Sequence, residues 1–81
     1  MRRIGVVGII ITDRTNQAPM VNSVLSEHAD IIIGRMGLPY PQRGLHIISL
    51  IVNGTTDSIG ALTGKLGSLK GVQVRSSLTR A

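Results

Sequence analysis

Residues 4–11, Ile-Gly-Val-Val-Gly-Ile-Ile-Ile, and residues 45–52, Leu-His-Ile-Ile-Ser-Leu-Ile-Val, are rich in β-branched side chains and do not alternate between apolar and polar. A strand sends successive side chains to opposite faces. In the first stretch Ile4, Val6 and Ile10 point one way and Val7, Ile9 and Ile11 the other. In the second, Ile48, Leu50 and Val52 oppose Leu45, Ile47 and Ile51. Both faces of both strands therefore need cover, and a chain this short must find it within one small domain or from a neighbour.

The remaining segments supply the elements around these strands. Thr12-Asp-Arg-Thr-Asn16 ends the first strand with turn-forming residues, and Pro19 with Val21, Val24, Leu25 and His28 predicts a helix over about 18–28. Ile31 to Gly37 reads as a second strand. Leu38 to Gly44, with two prolines and a glycine, reads as a loop. After the strand 45–52, Asn53-Gly54 reads as a turn, Thr55 or Thr56 as an N-cap and Asp57 as an acid in the first helical turn. Ile59, Leu62, Leu66 and Leu69 mark the second helix, Gly67 and Gly71 lie near its end, and 72–78 alternates as an edge strand.

The order βαββαβ predicts one α+β domain over 1–81, a ferredoxin-like sandwich with a four-stranded antiparallel sheet and two helices on one face. The first and third strands belong at its centre. Arg35 and Arg75, the arginines within strands, fall on the second and fourth, at the edges. Two helices shield one face only, and the few residues after Leu78 are too short to cover the other. The exposed face then forms an aliphatic patch larger than soluble monomers usually carry, which predicts a homo-oligomer, dimer or tetramer, through the sheet face and a sheet edge. Gly60, Gly64 and Gly67 fall on one side of the second helix, opposite its leucines, and allow either a close approach or a frayed end.

Composition narrows the function. At 81 residues the domain buries only about 60–65% of its unfolded surface, so association would add stability. The formal net charge is +5, from nine Lys and Arg against four Asp and Glu. These cations are scattered and no aromatic residue interleaves with them, Tyr40 being the one aromatic side chain, so direct nucleic-acid binding is not supported. A DNA-associated regulator that uses the positive charge alone stands as the second reading. There is no cysteine, hence no disulfide, thiolate nucleophile or Cys-held cluster, which fits a cytoplasmic protein. The apolar run 4–11 is far shorter than the roughly 20 residues of a membrane span.

Catalytic chemistry finds little material. Asp13, Glu27, Asp30 and Asp57 show no short recurring spacing, and Ser49, Ser76 and Ser77 lack a Ser-His-Asp setting. His28 suits a helix C-terminus, and His46, alone on a central strand, reads as a surface or interface residue with no further metal ligand near it. The glycines at 5, 8, 34 and 37 make no phosphate loop and read as close packing or a bulge. No enzyme activity, cofactor or metal is expected. The strand-to-helix loop Thr12, Asp13, Arg14 and Asn16 is the best candidate for ligand contact, because polar side chains and free backbone amides gather there.

Gly5-Val-Val-Gly-Ile-Ile-Ile with Asp13-Arg14, Gly34-Arg-Met-Gly-Leu-Pro-Tyr40 and, above all, the segment from Ile48 to Gly67 resemble the iron-only hydrogenase system regulators. That resemblance implies an ACT-like fold related to the C-terminal sensor domain of nickel-responsive repressors. It further implies a regulatory domain that binds a small effector or a protein partner. Its contact region would be Thr12, Asp13, Arg14 and Asn16, with Gly34, Arg35, Met36 and Gly37 of a neighbouring subunit. Two departures limit the likeness. Amino-acid-binding ACT domains follow the Asp-Arg pair with Pro-Gly, where this chain has Thr15-Asn16. The repressors use several histidines and a cysteine near the position of His46, and carry a DNA-binding segment ahead of the sensor, where only residues 1–3 stand here; nickel sensing of that kind and operator reading are not expected.

Overall fold

A computed structural model describes residues 1–12 and 14–80, with the side chains of Arg14 and Thr15 left aside. The β-branched run forms β1 (Arg3–Ile11), followed by α1 (Arg14–Glu27), a 3-10 turn at Ala29–Ile31 and β2 (Ile32–Tyr40). A second 3-10 turn, Pro41–Arg43, leads to β3 (Leu45–Gly54), α2 (Thr56–Gly67) and β4 (Val72–Leu78). The strands make one antiparallel sheet in the order β2-β3-β1-β4, so the two most apolar strands are central, as their composition requires.

Thr55 caps α2, its Oγ1 accepting from the Ser58 amide at 3.0 Å, and Asp57 lies in the first turn. The tight connections use glycine where the backbone turns left-handed, Gly44 at φ 65° before β3 and Gly71 at φ 77° before β4.

The core lies between the helices and one sheet face. Val7, Ile9 and Ile11 of β1, Ile48, Leu50 and Val52 of β3, and Val72 of β4 are buried against Val21, Leu25, Ile31, Ile59, Leu62 and Leu66. Close packing reaches the backbone at Gly5, which pairs with Leu78: a Cβ there would collide with Leu78 Cδ2 and stand 3.0 Å from the Ser77 carbonyl oxygen.

Several boundaries differ from expectation. α1 starts at Arg14 instead of about 18, so Pro19 lies inside the helix and not at its start. Arg14, Gln17 and Ala18 are good helix formers that extend the helix toward the strand. β2 runs on through Leu38, Pro39 and Tyr40, which pair with Ile47, His46 and Leu45. Pro39 is tolerated because β2 is an edge strand with one hydrogen-bonded neighbour. Asn53-Gly54 is not a turn; both residues are paired with β1, opposite Ile4 and Arg3. A register shift between Ile32 and Gly34 marks a bulge at Ile33.

Candidate functional site

Two regions carry the candidate residues, the end of β1 with the start of α1, and the edge strand β2. At the first, Thr12 is fixed to the loop before β4: its amide and its Oγ1 both donate to the Gly71 carbonyl oxygen, at 2.8 and 3.0 Å. Asp13 lies outside the described residues, as does the Arg14 side chain. Asn16 stands exposed in the first turn of α1.

On β2 the pairing splits the candidate set between two faces. Arg35 pairs with Leu50 and Gly37 with Ile48, both core-facing, whereas Gly34 pairs with Ile51 and Met36 with Ser49, on the face away from the helices. Arg35 Nη2 accordingly reaches α1 and donates to Asn22 Oδ1 at 3.1 Å. The side chains of Arg35 and Met36 thus leave the edge strand on opposite faces of the sheet.

Gly37 has a neighbour that sequence reasoning passed over. His46 pairs with Ile11 and Pro39, and its Nε2 would stand 3.4 Å from a Cβ placed at Gly37. The imidazole is half-buried, and its Nδ1 is enclosed with no hydrogen-bond partner, as is Nε2 of His28. Buried polar atoms normally have partners. The strand position of His46 was visible in the sequence, but its pairing with Pro39 was hidden by the assumption that the proline ended β2. Among the described residues no three His, Asp or Glu side chains converge on a metal-sized site.

A shallow pocket between α1 and β2 is lined by Leu25, Ser26, Ala29, Ile32 and Arg35. Its volume, ≈ 180 Å³, falls short of the roughly 300–1,000 Å³ of dedicated small-molecule sites.

The larger feature is the sheet face away from the helices. Ile4, Val6, Met36, Leu38, Tyr40 and Ile51 are all exposed there, with Ile10, Leu45 and Ile47 between them. The exposed apolar surface is on the order of 600 Å², at the upper end of what single soluble domains carry. The cations do not form a matching patch. Arg2 donates to the Asn53 side chain at 3.3 Å and also to its backbone carbonyl, Arg3 to the Thr79 carbonyl oxygen, and Lys65 pairs with Glu27 at 3.0 Å. Among the described residues no helix is long and apolar enough to cross a membrane.

Residues 3–76 match the TM1266-like family model, described as "Iron-only hydrogenase system regulator, putative". No curated protein matches the sequence. Among solved structures, the uncharacterized protein TM1266 from Thermotoga maritima superposes with a TM-score of 0.94 at 32% identity, covering 99% of this chain and 100% of that one. The ACT domain of GTP pyrophosphokinase from Chlorobium tepidum superposes at 0.79 with 19% identity over 95% of this chain and 100% of that domain. CPII, a nitrogen regulatory PII-like protein from Thiomonas intermedia K12 bound to ADP, AMP and bicarbonate, gives 0.51 at 13% identity, over 100% of this chain and 96% of that one. The last two likenesses show a shared ferredoxin-like fold.

Proposed function

This chain belongs to the TM1266-like family of iron-only hydrogenase system regulators, and from that membership we propose that it is a non-catalytic regulatory domain that works as a homo-oligomer and binds a small effector or a protein partner. The observation that carries the reading is the apolar sheet face opposite the helices, which water covers in a lone chain. A regulatory domain acts by binding, and binding at a subunit boundary couples the ligand to assembly. The effector site is the β1–α1 connection, Thr12 to Asn16, completed by Gly34 to Gly37 of a neighbouring subunit.

Sedimentation velocity at micromolar concentration tests the assembly. A dimer or tetramer is expected, and a monomer at all concentrations would remove the basis of the reading. Native mass spectrometry of protein taken directly from cells would report stoichiometry and any retained small molecule together.

A further inference from the structure

The two edges of the sheet are not alike. The Thr12 amide donates to the Gly71 carbonyl oxygen and the Thr79 amide to the Ile4 carbonyl oxygen, each at 2.8 Å, and between these bonds β1 and β4 pair from Val72 to Leu78 without a register shift. Backbone groups alternate between the two sides of an antiparallel strand. Gln73, Arg75 and Ser77 therefore bond β1, while the carbonyls and amides of Val74, Ser76 and Leu78 are directed outward. The same phase carried through β3 directs Arg35, Gly37 and Pro39 outward on β2. There the bulge at Ile33 kinks the strand and Pro39 has no N–H, two devices that close an edge to further pairing. β4 has neither.

Instead, β4 carries Arg75. Its side chain turns to the edge, and Nη1 donates at 2.8 Å to the carbonyl oxygen of Val74, one of the outward groups. An incoming strand must displace the guanidinium from that oxygen. A neutral strand gives it no acceptor in exchange, whereas an acidic side chain offers a carboxylate, and charge-assisted bonds are the stronger. The surrounding charge has the same sign. After Asp57 the chain has no acidic residue but four cations, Lys65, Lys70, Arg75 and Arg80. Lys65 is held by Glu27, the one salt bridge among the described residues, and Lys70 and Arg80 stand exposed beyond the two ends of β4.

We infer that β4 receives an extended segment of a partner protein as a fifth strand, and that this segment alternates acidic and apolar side chains. The acids take the open side of the sheet, where Arg75 lies opposite Gly8. The apolar side chains take the helix side, beside Val74, which is half-buried, and Leu78, which is 37% exposed. Ser76 between them is exposed, so α2 leaves room there. A second copy of this chain would bring its own Lys70, Arg75 and Arg80 to the same edge, and like charges across a ladder repel. The edge lies apart from the open face and from the β1–α1 connection, so its use is independent of the assembly proposed above.

The probe is a synthetic peptide of alternating valine and glutamate, as long as β4 and blocked at both ends, with valine–glutamine and valine–lysine peptides as controls. Fluorescence anisotropy should show the glutamate peptide binding about tenfold tighter than the glutamine peptide at low salt, with the margin shrinking as salt rises. Arg75→Ala should remove most of that margin, and Arg75→Glu should move the preference to the lysine peptide. Circular dichroism checks that both variants fold, as the exposure of Arg75 predicts. Amide hydrogen exchange locates the peptide: Val74, Ser76 and Leu78 should gain protection, while Gln73, Arg75 and Ser77, already bonded to β1, and Arg35 and Gly37 on β2 should not change.

Equal binding of the glutamate and glutamine peptides, or protection at Arg35 and Gly37 in place of β4, overturns the inference. So does concentration-dependent protection of Val74, Ser76 and Leu78 in the chain alone, which would mean that a second copy fills the edge. A monomer that binds the glutamate peptide at β4 overturns the proposed assembly and leaves the strand addition standing. An oligomer that binds none of the peptides overturns the strand addition and leaves the assembly standing.

Discussion

Gly5 of β1 sits directly against Leu78 of β4, with no room for a Cβ between them. This contact ties the last residue of the edge strand to the central one. Gly5→Ala is therefore expected to destabilise the fold by about 1–3 kcal/mol, through overpacking against a side chain and a neighbouring carbonyl. Urea unfolding of Gly5→Ala, Leu78→Ala and the double variant checks it: the double variant should recover part of the loss, and strict additivity would rule the contact out as the cause.

Leu50 and Ile51 are adjacent in β3 and separate the two roles of the sheet. Leu50 is fully buried and Ile51 is 41% exposed on the open face. Leu50→Ala should cost about 2–5 kcal/mol in folding stability. Ile51→Ser should leave the far-ultraviolet circular dichroism intact and shift sedimentation toward monomer. Loss of folding with Ile51→Ser at concentrations where the wild type is assembled would show that fold and assembly are one process.

Thr55 holds the start of α2 through the Ser58 amide. Thr55→Ala is expected to lower stability by about 1 kcal/mol, whereas Thr55→Ser, which keeps the accepting oxygen, should stay within a few tenths. Thermal melts of the two variants side by side distinguish loss of the cap from loss of the threonine methyl group.

Lys65 and Glu27 join the two helices at 3.0 Å, but both side chains are 54% exposed. Lys65→Ala should change stability by less than about 1 kcal/mol, and raising salt should change the wild type little. A larger effect in chemical denaturation would mean that the pair is shielded by a neighbouring subunit.

The layout of the sheet was legible because its signal is repeated: the valines and isoleucines of β1 and β3 mark central strands on composition and pattern together. The span of β4 was legible for the same reason, and the cap of α2 was narrowed to Thr55 or Thr56, each resting on a local rule. What escaped reading depended on position within the sheet. Pro39 forbids a central strand but not an edge one, so β2 outran its expected end. Asn53-Gly54 is a hairpin signal only when the chain turns at once, and here pairing with Arg3 and Ile4 holds it extended. For the candidate residues the sequence offered names without an arrangement, since the faces taken by Arg35 and Met36 are set by the bulge at Ile33, for which Gly34 was the sole hint.

That bulge fixes the parity of everything after it in β2. Deleting the extra residue would regularise the ladder and keep Met36, Leu38 and Tyr40 opposite Ser49, Ile47 and Leu45, whereas pairing the same sequence without a bulge would swing them beneath the helices. One unpaired residue thus decides which surface of the strand is the inner one, and the kink can be lost by a single deletion without turning β2 over.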